Sequence, residues 1–240
     1  MNHNLSSAQL KSISRGQLLG KYGAAIAAEF VATGIMAAAS LLCSALTDQT
    51  TTAGTILACL ISFILEILGG IFLVGLSRFY RNLVCSRPYP VSDIFYGFRS
   101  HADKAIAIRF FLCAAQLLCM LPFLLCMFFY LQYESAMLFL CGSILAVIGG
   151  VIAVYITLVY SQVYYIMLDF PGFSVKQIMN TSKNIMKGNK GRLFYITVSL
   201  IPYYLAAFLS CGIALFWVTP YRKTIYTNFY LDLMHREYTV

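Results

Sequence analysis

Runs of about twenty apolar residues recur along this chain, each as long as a helix must be to cross a ~30 Å hydrocarbon core. The runs are continuous rather than alternating, so they read as helices and not as the strands of a barrel. Of the 240 residues 60% are hydrophobic and 11% charged, against about 25% charged in soluble domains. The spacing predicts an all-α integral membrane protein, one polytopic domain over residues 1–240. Six spans are expected at about 22–46, 55–77, 106–130, 136–167, 193–209 and 213–230. The alternative is five, with one long span over 193–218 replacing the last pair. The second and fourth patterns outrun a bilayer, so those helices should tilt, kink or project.

The basic residues sort by side. The connections "TDQTTTAG" (47–54), "LQYES" (131–135) and "SCG" (210–212) carry no Lys or Arg. Lys11, Arg15, Lys21, the stretches 78–109 and 176–192, and Arg236 fall on the other side. Positive charge concentrates in cytoplasmic loops, which predicts both termini cytoplasmic. The net charge of +8 then belongs to that rule and to anionic lipid, and nucleic acid is not an expected partner. No cleavable signal peptide is evident, and the first span is expected to act as its own targeting signal. The eight cysteines form no C-x-x-C pair and no metal-ligand spacing with the three histidines, His3, His101 and His235. They read as small hydrophobes; a disulfide among Cys43, Cys59, Cys141 and Cys211, near the outer span ends, is the alternative.

A repeat underlies the order of spans. "LSSAQL" (5–10) and "FSVKQI" (173–178) both read apolar, Ser, two residues, Gln, apolar. That is a capping box with a hydrophobic staple, a helix start. A Gly-x-x-Gly follows each, at Gly20 and Gly23 and at Gly188 and Gly191, and then an apolar run. The middle copy, "VSDIFYGF" (91–98), keeps Ser92 as a cap and lacks the Gln and the glycine pair. Returning spans match as Gly69-Gly70 before Tyr80, Gly149-Gly150 before Tyr160 and Thr219-Pro220 before Tyr230. Three units of surface helix plus membrane hairpin are predicted, at about 5–86, 91–168 and 174–236.

Within the third unit, Val175, Ile178, Met179, Ser182, Ile185 and Met186 hold one helical face, and the lysines lie around the other. The segment reads as an amphipathic helix along the inner membrane surface. Its expected contacts with anionic lipid are Lys176, Lys183 and Lys187, joined by Lys190 and Arg192 at the corner into the next span. "GNKGRLF" (188–194) lacks the spacing and the preceding strand of a phosphate-binding P-loop.

The stretches "GLSRFYRNL", "SDIFYGFR", "YSQVYYIMLDFPGFSVKQIMNTSKNIMKGNKGRLF" and "GIALFWVTPYRKTIYTNFY" resemble the bacterial membrane family catalogued as domain of unknown function nine-seven-five. The likeness covers most of residues 75–230. It departs at Gly149, where the family often has Pro, and at Gly191, where it often has Trp. The resemblance implies a polytopic protein of the bacterial cytoplasmic membrane and carries no catalytic residues with it.

Chemistry-bearing residues inside the spans are few. Glu66 lies near the middle of the second span, Glu29 about two turns into the first, and Arg222 and Lys223 in the last. An ionised side chain at that depth costs roughly 2.5 kcal/mol or more and normally faces a partner inside the bundle. The repeat places Glu66 within reach of Arg222 or Lys223, so these are expected to share one interior cavity. Each of the four is either a ligand or ion site or a structural ion pair. No catalytic constellation is visible, so a non-enzymatic role is expected, with no cofactor. The expected partners are anionic lipids, a membrane-protein partner or a second copy. A small transporter or channel-like carrier using Glu66 and Arg222 is the alternative.

Overall fold

The computed structural model describes residues 5–48 and 50–237, the side chains of 235–237 excepted. His3 and the side chains of His235 and Arg236 lie outside the described residues. These are all-helical. Helix α1 (Ser7–Leu18) starts at a complete capping box: the Gln9 N–H donates to the Ser6 hydroxyl at 3.2 Å and the Ser6 N–H to the Gln9 side chain at 2.7 Å. The chain then turns through Gly20 at φ 75°, a left-handed conformation that glycine adopts without a Cβ clash. Helix α2 (Tyr22–Leu46) runs out, and α3 (Thr52–Val84) returns. At 33 residues α3 is about 50 Å long by helix rise, longer than a ~30 Å hydrocarbon core requires, as its sequence pattern anticipates.

The middle connection departs from the expected pattern. Ser92 caps nothing: it lies inside a 3-10 turn, Val91–Phe95, whose N-cap is Pro90. A single turn of helix, α4 (Tyr96–Arg99), follows. The corner is then made by His101 at φ 54°, a position that bears a side chain where the first and third corners have glycine. Helix α5 (Ala102–Tyr133) therefore begins four residues earlier than the apolar run indicates. Helix α6 (Ala136–Val159) comes back and breaks, and α7 (Val163–Asp169) continues its course.

A second complete capping box, Ser174 with Gln177, starts α8 (Val175–Ile185). Gly188, at φ 82°, turns the chain into α9 (Lys190–Val198). The following run is interrupted: α10 (Ile201–Leu209) carries Pro202 in its first turn, which has no N–H to continue the ladder from α9. Cys211 and Gly212, both at positive φ, reverse the chain into α11 (Leu215–Glu237). The fifth apolar segment therefore ends at Leu209, short of the 193–218 expected for it in the five-span reading, whose count of five the apolar segments meet.

Among the described residues five helical segments are long and apolar enough to cross a membrane: Tyr22–Leu46, Thr52–Val84, Ala102–Tyr133, Ala136–Asp169 and Lys190–Leu209. Helix α11 falls short because Arg222, Lys223, Thr224, Thr227, Asn228 and Asp232 interrupt its apolar residues. The core gathers at the basic end, where Leu10, Leu18, Val74, Phe79, Tyr80, Ile94, Ile166, Ile178, Met186, Ile225, Phe229 and Tyr230 are fully enclosed. Contact there is close. A Cβ on Gly75 would stand 1.9 Å from the Ile94 carbonyl oxygen. The far ends of the helices instead expose large apolar side chains, Leu46 at 85% and Phe208 at 83%, as a surface solvated by lipid tails would.

Candidate functional site: paired charges around a basic cavity

Small side chains set the first pair. Ala25, Ala28 and Ala32 are buried on one face of α2 and bring it close to α3 and α11. On that face Glu29, 7% exposed, meets Lys223 of α11, whose Nζ lies 2.9 Å from Oε1 and 3.0 Å from Oε2. The Tyr80 hydroxyl of α3 donates to Glu29 Oε1 at 2.8 Å. Glu29 lines a cavity of about 260 Å³ between α2 and the start of α11. Its partners Lys223 and Tyr80 line a different one, described below.

The second pair corrects the sequence reading. Glu66 joins Arg109 of α5, not Arg222 or Lys223. Its side chain is 56% exposed and does not line the cavity that holds those two. The cause is the choice of neighbours: α3 crosses α5 at Gly70, where a Cβ would stand 2.7 Å from the Arg109 Cβ. Arg109 was missed because it sorts with the loop cations by sequence. The early start of α5 puts it about two turns inside the helix.

Three more carboxylates are matched nearer the basic end. Arg81 pairs with Asp169, which also accepts from the Tyr230 hydroxyl at 2.6 Å. Arg78 pairs with Asp93 at 3.3 Å, and Arg192 with Asp232 at 2.6 Å. Asp232 Oδ1 accepts from the Leu5 N–H at 3.4 Å, tying the two ends of the chain together. On the opposite side, the hydroxyl and N–H of Thr50 hold the Asp48 carboxyl below its ordinary pKa.

The expected lipid contacts divide. Arg192 is committed to Asp232 and the Leu5 carbonyl, and Lys190 donates to the Tyr155 hydroxyl at 2.6 Å. Lys176, Lys183 and Lys187 are exposed and form no ion pair among the described residues. Most of the apolar face of α8 packs on protein, with Val175 and Met179 half-buried. Ile178, Ser182, Ile185 and Met186 are buried against protein, with α7 and α5 as neighbours. The Ser182 hydroxyl donates to the Val159 carbonyl at 2.8 Å, fixing the helix to the end of α6.

A cavity of about 270 Å³ lies among α3, α5, α6, α7 and α11. Arg109, Arg222 and Lys223 line it together with Tyr80, Tyr160, Tyr164, Tyr165 and Tyr226. No carboxylate lines it among the described residues. All eight cysteines carry free thiols, so the disulfide alternative is not realised. Comparison with curated proteins and with solved structures finds no match. The family model described as a protein of unknown function, DUF975, matches residues 1–237, and the chain belongs to that family.

Proposed function

We propose that this is a non-enzymatic, six-span protein of the bacterial cytoplasmic membrane that engages anionic lipid through α8. The observation that carries the lipid reading is the stripe of Lys176, Lys183 and Lys187. Lys176 and Lys183, seven residues apart, share one face of α8 within about 20°, and Lys187 follows in the turn just past the Met186 C-cap. That face is exposed and unpaired among the described residues, while the apolar face is already occupied by protein. Such a helix needs no bilayer to hold it and presents its charge outward.

The six-span reading rests on α11, whose 23 residues extend about 35 Å. A helix enclosed by other helices need not be apolar. Thr224, Ile225, Thr227, Phe229 and Tyr230 are buried, and Lys223 has its carboxylate. An even number of spans puts both termini on one side, in keeping with the Leu5–Asp232 contact. The three-unit repeat is supported by the two capping boxes and the matching glycine turns.

Each lysine near an anionic surface is worth about 1 kcal/mol, so replacing all three with Gln should cost ~3 kcal/mol, roughly a hundredfold in preference. Native mass spectrometry of protein taken from mixed phosphatidylglycerol and phosphatidylcholine nanodiscs measures that preference. Wild type is expected to retain phosphatidylglycerol and the triple variant to lose the bias. Equal retention by both proteins would remove the basis for the reading.

A further inference from the structure

We infer that the cavity among α3, α5, α6, α7 and α11 is a binding site for the oxyanion of an organic anion, a phosphate or a carboxylate, held by Arg222. The inference is independent of the lysine stripe. Three cations line the cavity, Arg109, Arg222 and Lys223. Arg109 is matched by Glu66 and Lys223 by Glu29. Arg222 forms no ion pair among the described residues. Of the acidic groups outside that set, Glu237 is four turns further along α11, roughly 22 Å by helix rise, and cannot supply the missing charge. The other described cations without a carboxylate lie in α1, in α4, in the first turn of α5, in the connections at the basic end, or on α8 and the start of α9. Arg222, half-buried with its guanidinium carbon 6.0 Å from the Tyr204 ring centroid, is the cavity-lining cation without a carboxylate among the described residues.

The lining indicates what supplies it. A guanidinium offers a planar fork that matches a phosphate or carboxylate through two parallel hydrogen bonds. Lys223 is the adjoining cation, and the hydroxyls of Ser77 and Thr157 and the amide of Gln116 add neutral polar groups to the wall. Tyr164 and Tyr226 present aromatic surface, and Leu73 and Leu112 aliphatic surface, for the body of the ligand. A volume of about 270 Å³ is at the small end for ligand pockets. It accommodates a small organic anion or the headgroup of a lipid, but not a lipid's acyl chains.

The two sources of that oxyanion are separated by two probes on the full-length protein. Phenyl phosphate is titrated against detergent-solubilised protein, and phosphatidylglycerol is titrated in phosphatidylcholine nanodiscs. Saturable binding of at least one probe to wild type is expected. Arg222→Gln should weaken it about tenfold or more, and Arg222→Lys, which keeps the charge and loses the fork, by a smaller factor. The Lys176, Lys183 and Lys187 to Gln variant should bind phenyl phosphate as wild type does, which separates this site from the surface stripe. Relieving an uncompensated cation should leave the melting temperature of ligand-free Arg222→Gln unchanged or higher. Failure of both probes to bind wild type overturns the inference. So does undiminished binding by Arg222→Gln, or a ligand-free melting temperature well below wild type with binding retained.

Discussion

The Glu29–Lys223 pair allows a quantitative test of how α2 and α11 are held together. Replacing Lys223 with Met leaves the Glu29 carboxylate 7% exposed with only the Tyr80 hydroxyl, at 2.8 Å, as partner. At the observed 3.0 Å two unit charges attract by about 5 kcal/mol at an effective dielectric constant near 20. Much of that offsets desolvation of both groups, yet removing one member of a buried pair costs about 3–5 kcal/mol because the other is stranded. Glu29→Gln strands Lys223 in the same way. The double variant strands neither charge, and its Gln keeps an acceptor for Tyr80, so it should lie within about 1–2 kcal/mol of wild type. The chain has a single tryptophan, Trp217, on α11, so its fluorescence reports denaturant-driven unfolding of that helix in mixed micelles. Two single losses near 4 kcal/mol with a double variant close to wild type make the coupling strongly non-additive. Additive losses, or a Lys223→Met protein as stable as wild type, would refute the ion pair as the tie between these helices.

Cysteine-accessibility labelling should find Asp48 and Glu134 positions outside and Ser6 and Asn189 positions inside, with the C-terminus on the inner side. A C-terminus accessible from outside would leave five spans and take α11 out of the membrane. Gly75→Ala places a Cβ 1.9 Å from the Ile94 carbonyl oxygen and 2.4 Å from its carbon, so backbone must move. A loss of at least about 2 kcal/mol is expected in the same unfolding assay, and an unchanged midpoint would mean that α3 and the 3-10 turn are not in contact there.

What the sequence determined alone is local. The five apolar segments could be read from length and composition, since crossing hydrocarbon demands both. Both capping boxes could be read as well, because Ser6 with Gln9 and Ser174 with Gln177 complete their hydrogen bonds within four residues. The glycines at the first and third corners follow from backbone geometry at single positions. Family membership was legible through the same short motifs.

Tertiary structure decided what depends on which helix faces meet. Glu66 went to Arg109 and Glu29 to Lys223 because α3 crosses α5 and α2 lies against α11, a pairing that no spacing within one helix encodes. The apolar face of α8 turned to protein for a related reason. Lipid tails and a protein interior are equally apolar, so a hydrophobic stripe records burial without recording what buries it. Helix α11 shows the converse. Its polar residues keep it below the apolarity of the five candidate spans, and Lys223, Thr227 and Asn228 find partners on neighbouring helices. Arg222 has no carboxylate among the described residues and stands beside the Tyr204 ring of α10, its guanidinium carbon 6.0 Å from the centroid.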